Sequence, residues 1–204
     1  MPLPALMMAA PERSTYYLGA SPKRLHGGSS QMAISEFDRV FTQLETTPRL
    51  LKSVFSELPA ESVGARGSKG GFSAVEHAWH MADLESEGYG LRISRLLSET
   101  EPHLPDFEGD RIARERRYHE KSLLEGLNRF ASARSQNLAQ LRRVTEPQWR
   151  RFGVQEGVGR LALSDLPKMM LEHDRSHLRE LVELLEEILP EASALARLEA
   201  ALSA

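Results

Sequence analysis

The chain has 204 residues, 41% hydrophobic and 27% charged, with a net charge of −3 and no cysteine. This is the composition of one globular domain with room for a tail, and it excludes a strongly basic nucleic-acid surface. The missing cysteine excludes disulfides, thiolate-bound zinc and a protein thiol nucleophile together.

No apolar run is long enough for a transmembrane helix. The N-terminal MPLPALMMAAPERS is broken by prolines and has no basic segment ahead of its apolar residues, so it is a poor signal peptide. A cytoplasmic location is the resulting expectation.

Residues 1–31 are rich in Pro, Gly and Ser and end in HGGSSQ. Without core periodicity they read as a flexible tail ahead of a domain over 32–204. The first predicted helix runs from about Ala33 to Leu58, with Ile34, Phe37, Phe41, Leu44, Leu51, Val54 and Phe55 as its apolar stripe. Thr47-Pro48 interrupts it. A threonine cap followed by proline is a restart signal, so a kink or a split is expected there.

After the glycine-rich ARGSKGG, Ser73 caps the second helix, with Glu76 completing a capping box. This helix continues to about Leu97 and buries Val75, Trp79, Ala82, Tyr89, Ile93 and Leu96. Gly88 and Gly90 weaken it locally and permit close helix approach. Residues 98–120 contain Pro102, Pro105 and Gly109 and form a long connection of the kind that is often functional. It can span a helix length of about 35 Å, so the second and third helices need not be antiparallel. An up-down-down-up order is therefore allowed.

The third helix is expected from about Ser122 to Val144. Residues 148–162 read as a turn-rich connector with no strand. Ser164 is the expected cap of the fourth helix, with Pro167 in its first turn. Its stripe is Leu166, Met169, Met170, Leu181, Leu184, Leu185 and Ile188. A short amphipathic helix, ASALARLEAAL, follows Pro190. The fold class is all-α, a four-helix bundle.

His173 and His177 lie four residues apart within the stripe of the fourth helix, on one face. Chance supplies roughly one quarter of such a pair in a sequence with this many histidines, and an exposed or hydrogen-bonded pair is the competing reading. Buried imidazoles need partners, and one metal ion would serve both. On the second helix His80 can converge with them. Three neutral nitrogens suit Zn, Ni or Fe and leave positions open for a ligand. His77 is placed at the rim of this site. His26, His103 and His119 fall in tail or loop.

The segments FSAVEHAWHMADLE, TTPRLL, LPDFEGDR and LALSDLPKMMLEHDRSHLREL resemble the DinB/YfiT superfamily of metal-dependent four-helix-bundle proteins. The resemblance spans roughly residues 36–188. Its hallmarks are W-S-x-x-E-x-x-x-H-x-x-D-x-E in the second helix and H-D-x-x-H in the last. Phe72 stands here for the usual Trp, and Glu180 for a frequent Gln.

The resemblance implies a divalent metal on His80, His173 and His177, and commonly a homodimer. It also implies activity on a small-molecule substrate, either with a small thiol such as mycothiol or bacillithiol or by hydrolysis. A non-catalytic, stress-associated metal protein is the third reading. Asp83, Glu85 and Asp174 match frequent family positions. Asp174 lies about 100° round the helix from His173, so it would contact a histidine or arginine rather than the ion. A solvated face is the alternative for all three. Arg92 matches a family arginine near the substrate mouth or a carboxylate, and a surface arginine is the alternative.

Deleting residues 1–31 should change the melting temperature little. A fall of several degrees, roughly 1–2 kcal/mol for a domain of this size, would show that the tail packs.

Overall fold

Apolar stripes at helical spacing are buried against one another in four helical rods in the computed structural model, which describes residues 30–56, 58–68 and 70–188. The rods are α1 (Ser30–Ser56), α2 (Ala74–Asp83) continued through a π-helical segment (Leu84–Gly90) into α3 (Leu91–Ser98), α5 (Leu123–Leu141) and α7 (Leu166–Ile188). Between them lie β1 (His103–Leu104), α4 (Gly109–Glu115), α6 (Glu146–Trp149), β2 (Phe152–Gln155) and β3 (Gly159–Ala162). Helix α5 packs on both α1 and α2, and α7 packs on α1. The helix after Pro190 and residues 1–29 of the expected tail lie outside the described residues; Ser30 and Gln31 already belong to α1.

Helix α1 is not split at Thr47-Pro48 as the sequence suggests, but runs through Pro48. Proline has no N–H, so the carbonyl of Leu44, four residues earlier, loses its helical donor. The guanidinium of Arg134 replaces it, with Nη1 3.1 Å from the Leu44 oxygen. Thr47, instead of capping, donates its hydroxyl back to the Gln43 carbonyl at 3.1 Å.

The connector over 148–162 is not free of strands. Strand β2 pairs antiparallel with β3, Phe152 opposite Ala162 and Gln155 opposite Gly159, while β1 lies parallel to β2 with His103 opposite Val154. Gly157 and Gly159 serve the turn between β2 and β3, at φ +73° and +94°. Gly153 has another purpose: a Cβ there would stand 2.5 Å from the Pro102 carbonyl, which accepts from Val154 N–H. These short strands carry Leu104 and Leu161 into the main apolar cluster, beside Leu44, Tyr89, Ile93 and Met170. Nor does Ser164 cap α7. A 3-10 turn over Leu163–Asp165 precedes it, and the Asp165 carboxylate accepts from Ala162 N–H at 2.9 Å.

The capping box of α2 forms as its sequence implies. Glu76 accepts from Ser73 N–H at 2.9 Å, and Arg66 pairs with the same carboxylate. Beyond Asp83 the wider π turn loosens the regular helical hydrogen bonds. Asn137 Nδ2 donates to the Glu85 carbonyl at 2.7 Å and to its carboxylate at 2.8 Å. Gly90 lets Asn137 approach: a Cβ there would lie 3.1 Å from its Oδ1.

Arg134 sits at the centre, fully buried. Its guanidinium donates to both carboxylate oxygens of Asp174 at 2.7 and 2.8 Å and to Glu85 at 2.9 Å. Arg134→Met would keep the apolar stem and leave two buried carboxylates without their cation. The expected loss of unfolding free energy in urea is about 3–5 kcal/mol. A loss below about 1 kcal/mol would show that this network is dispensable.

Candidate metal centre

Helix α2 supplies His77 and His80, and α7 supplies His173 and His177. In α7 the Asp174 carboxylate is turned to Arg134, which leaves the imidazoles on either side of it in the sequence facing α2. The Nε2 atoms of His80 and His173 are 3.2 Å apart, and those of His173 and His177 are 2.9 Å apart. A four-coordinate ion with metal–nitrogen bonds of 2.0–2.1 Å needs nitrogens about 3.3 Å from each other. Two of the three pairs therefore stand within about 0.4 Å of the spacing that one small divalent ion asks for. The potential donor atoms of this trio all lie within 4.8 Å of one another.

The surroundings are apolar. Phe72 packs on His80 with ring centroids 5.3 Å apart, Phe107 at 5.9 Å, and Tyr89 reaches His173 at 6.2 Å. Phe72 thus fills the place of the usual Trp as a packing residue. The backbone of Gly109 presses on the outer edge of His80, where a Cβ would come within 2.4 Å of the ring. The long connection over 98–120 therefore covers His80. His80 Nδ1 is buried there without a partner.

Burial sets the protonation. It holds the His80 and His173 rings well below the usual imidazole value, with repulsion from the neighbouring histidines adding to the effect. Burial also lowers His77, to about 3, with His177 contributing. Neutral rings keep the lone pairs that a cation needs.

The sequence misplaces His77. It is not at the rim but 2% exposed, with Nδ1 3.0 Å from Nδ1 of His177. Its spacing of three from His80 was the available signal. Glu180 brings Oε2 to 3.3 Å from the same His177 nitrogen. The carboxylates are not solvated: Asp174 and Glu85 grip Arg134, and Asp83 accepts from the Tyr118 hydroxyl at 2.5 Å and from Arg116 at 2.6 Å. Arg92 is buried rather than on the surface, its guanidinium 5.6 Å from the centre of the Tyr89 ring.

A family model described as the DinB superfamily matches residues 43–181. The chain belongs to the DinB superfamily. One solved DinB-like structure is YfiT from Bacillus subtilis, described as "a probable metal-dependent hydrolase with an unusual four-helix bundle topology". It superposes with a TM-score of 0.70 at 18% identity, over 81% of this chain and 92% of YfiT. At that identity the likeness shows the fold. A comparison with curated proteins gives no match.

Three lowered imidazoles give this DinB protein a pH signature in its metal-free form. Unfolded, they titrate near 6.5; folded, they stay neutral well below it, His77 down to about 3. Below pH 6.5 the unfolded chain therefore binds more protons, and stability falls as the pH falls. In chelator, the urea midpoint should be lower at pH 5 than at pH 7, and the difference should shrink in His77→Leu. An unchanged difference in that variant would show that this ring is not held neutral.

Proposed function

We propose that this protein is a divalent-metal-dependent enzyme that uses a small thiol as nucleophile, with His80, His173 and His177 holding Zn, Ni or Fe. The convergence of three Nε2 atoms in a chain without cysteine carries the reading. When bound, the cation supplies Lewis acidity, which favours the anionic form of a nucleophile at neutral pH. The chain's own groups bring the three rings together, hold His80 and His173 neutral by burial, and pack Phe72 and Phe107 on His80.

What favours a thiol over water is the fate of the carboxylates. Asp83, Glu85 and Asp174 are engaged by Tyr118 and Arg116, or by Arg134, and Glu180 lies on the Nδ1 side of His177. The nitrogen trio gathers no carboxylate of the described residues into its group. Hydrolysis at such an ion still gains from a general base that moves protons to the leaving group; a thiol, already close to ionisation near 8.5, needs less help. Hydrolysis is the second reading, favoured by the description of YfiT.

Several further expectations go with this proposal. The substrate is a small electrophile. The setting is cytoplasmic, where free thiols stay reduced; among the described residues no helix is long and apolar enough to cross a membrane. The chain pairs as a homodimer, for which the apolar stripe of ASALARLEAAL is the support. Of residues 1–31, those ahead of Ser30 are a tail to a single domain, and Ser30 and Gln31 are part of α1. The helices run up-down-down-up, in keeping with the unusual topology ascribed to YfiT.

Protein purified without nickel resin should carry one divalent ion per chain. Metal-loaded protein should accelerate conjugation of monochlorobimane with at least one of bacillithiol, mycothiol, coenzyme A and glutathione. His173→Ala and His177→Ala should lower that rate at least tenfold, about 1.4 kcal/mol in barrier, while the helical circular dichroism is retained. Histidine-dependent hydrolysis of activated esters, with no thiol conjugation, would put the hydrolase reading in its place.

A further inference from the structure

We infer that His77 is a positioning residue: it accepts a hydrogen bond from Nδ1–H of His177 and so fixes the tautomer that leaves His177 Nε2 free to bind the ion. The inference rests on the metal reading above and deepens it, because nothing in the ligand pattern assigns His77 a role.

The argument begins with the direction of the rings. Nε2 of His177 faces Nε2 of His173 at 2.9 Å, so this is the nitrogen that meets a cation. A neutral imidazole has one N–H and one lone pair. For Nε2 to carry the lone pair, the proton must sit on Nδ1. That Nδ1 lies 3.0 Å from Nδ1 of His77. One of the two must donate and the other accept.

Glu180 decides between the two arrangements. Its Oε2 is 3.3 Å from His177 Nδ1 and 4.0 Å from His77 Nε2. A carboxylate attracts an N–H and repels a nitrogen lone pair. Protons on His177 Nδ1 and His77 Nε2 put the N–H groups on the two nitrogens that lie nearest it. The reverse pair of tautomers would leave lone pairs on those two nitrogens beside the carboxylate and put a proton on the metal-facing nitrogen of His177.

The fold holds His77 in place for this. Its ring stands edge-on to Phe72, centroids 5.7 Å apart, and its backbone N–H bonds Ser73 in the capping turn of α2. His80 differs: its Nδ1 has no partner, so no described group sets its tautomer. His177 is therefore the ring prepared before the ion arrives.

The test uses two substitutions in the full chain. His77→Leu removes the acceptor and keeps an apolar filling. His77→Asn places an amide oxygen at the branch position of Nδ1 and keeps an acceptor. Zinc affinity, measured by chelator competition, should weaken about 10–100-fold in His77→Leu and stay within about threefold in His77→Asn. Nitrogen-15 spectra of the imidazoles should show Nδ1–H on His177 in both metal-free and zinc-loaded wild type.

Equal affinity in all three proteins overturns the inference, as does equal weakening in both variants. An Nε2–H tautomer in the metal-free wild type overturns it as well. So does a second zinc ion per chain that is lost in His77→Leu, since His77 would then be a ligand. Wild type that binds no zinc would refute the metal reading instead, and the metal-free nitrogen spectrum would still decide this one. If His77→Leu fails to fold, His77→Asn and that spectrum decide it.

Discussion

The buried guanidinium of Arg134 is the point on which the bundle turns. It reaches α1 through the Leu44 carbonyl, the π segment through Glu85 and α7 through Asp174. Each of these contacts has a local cause. Pro48 cannot donate to Leu44 O; the widened turn carries Glu85 inward; Asp174 lies about 100° round from His173. Such a network adds little net stability over well-packed apolar groups, because desolvation offsets much of the attraction. Its effect is on phase. A helix free to roll about its axis could bury its leucines in several ways. With Asp174 tied to Arg134, α7 has one rotation, and that rotation aims His173 and His177 at α2.

The histidine cluster benefits from the same economy of charge. Among the described residues, the buried acids round it are matched by arginines or hydroxyls, so the rings meet neutral surroundings on the side where their Nε2 atoms converge. Burial then keeps His80 and His173 unprotonated, with repulsion from the neighbouring histidines adding to it. The ordering of charge in the core and the availability of lone pairs in the site are one fact seen from two sides.

The rods and the three converging histidines were legible in the sequence because both depend on helical period. Leu166, Met170, Leu181 and Leu185 mark the inner face of α7, and His173 and His177 share it. The capping box of Ser73 and Glu76 is equally local, and it formed. The misreadings have a common origin in distant partners. Pro48 looks like a break until Arg134 supplies the missing donor. Gly153 looks like a turn until Pro102 is seen to lie against it. Asp83 could as well have faced water, since Tyr118 and Arg116 lie more than thirty positions away in the sequence. His77 reads as a rim residue because its contact, His177, is a hundred positions along the chain. The strands were too short, and too rich in glycine, to show an alternating pattern.

The π segment over Leu84–Gly90 also divides its rod into two parts that can vary separately. An α-helix fixes the azimuth of every residue relative to every other, so a rotation at one end is felt at the far end. A wider turn in the middle absorbs a residue that the regular repeat has no room for. Loss of that turn alone would swing Arg92, Ile93 and Leu96 round by about 100° and leave His77 and His80 where they are. Lineages that lose one residue here together with the wide turn would therefore keep both the deep core and the histidines in register. An ungapped alignment drawn through this rod would compare side chains that point about 100° apart.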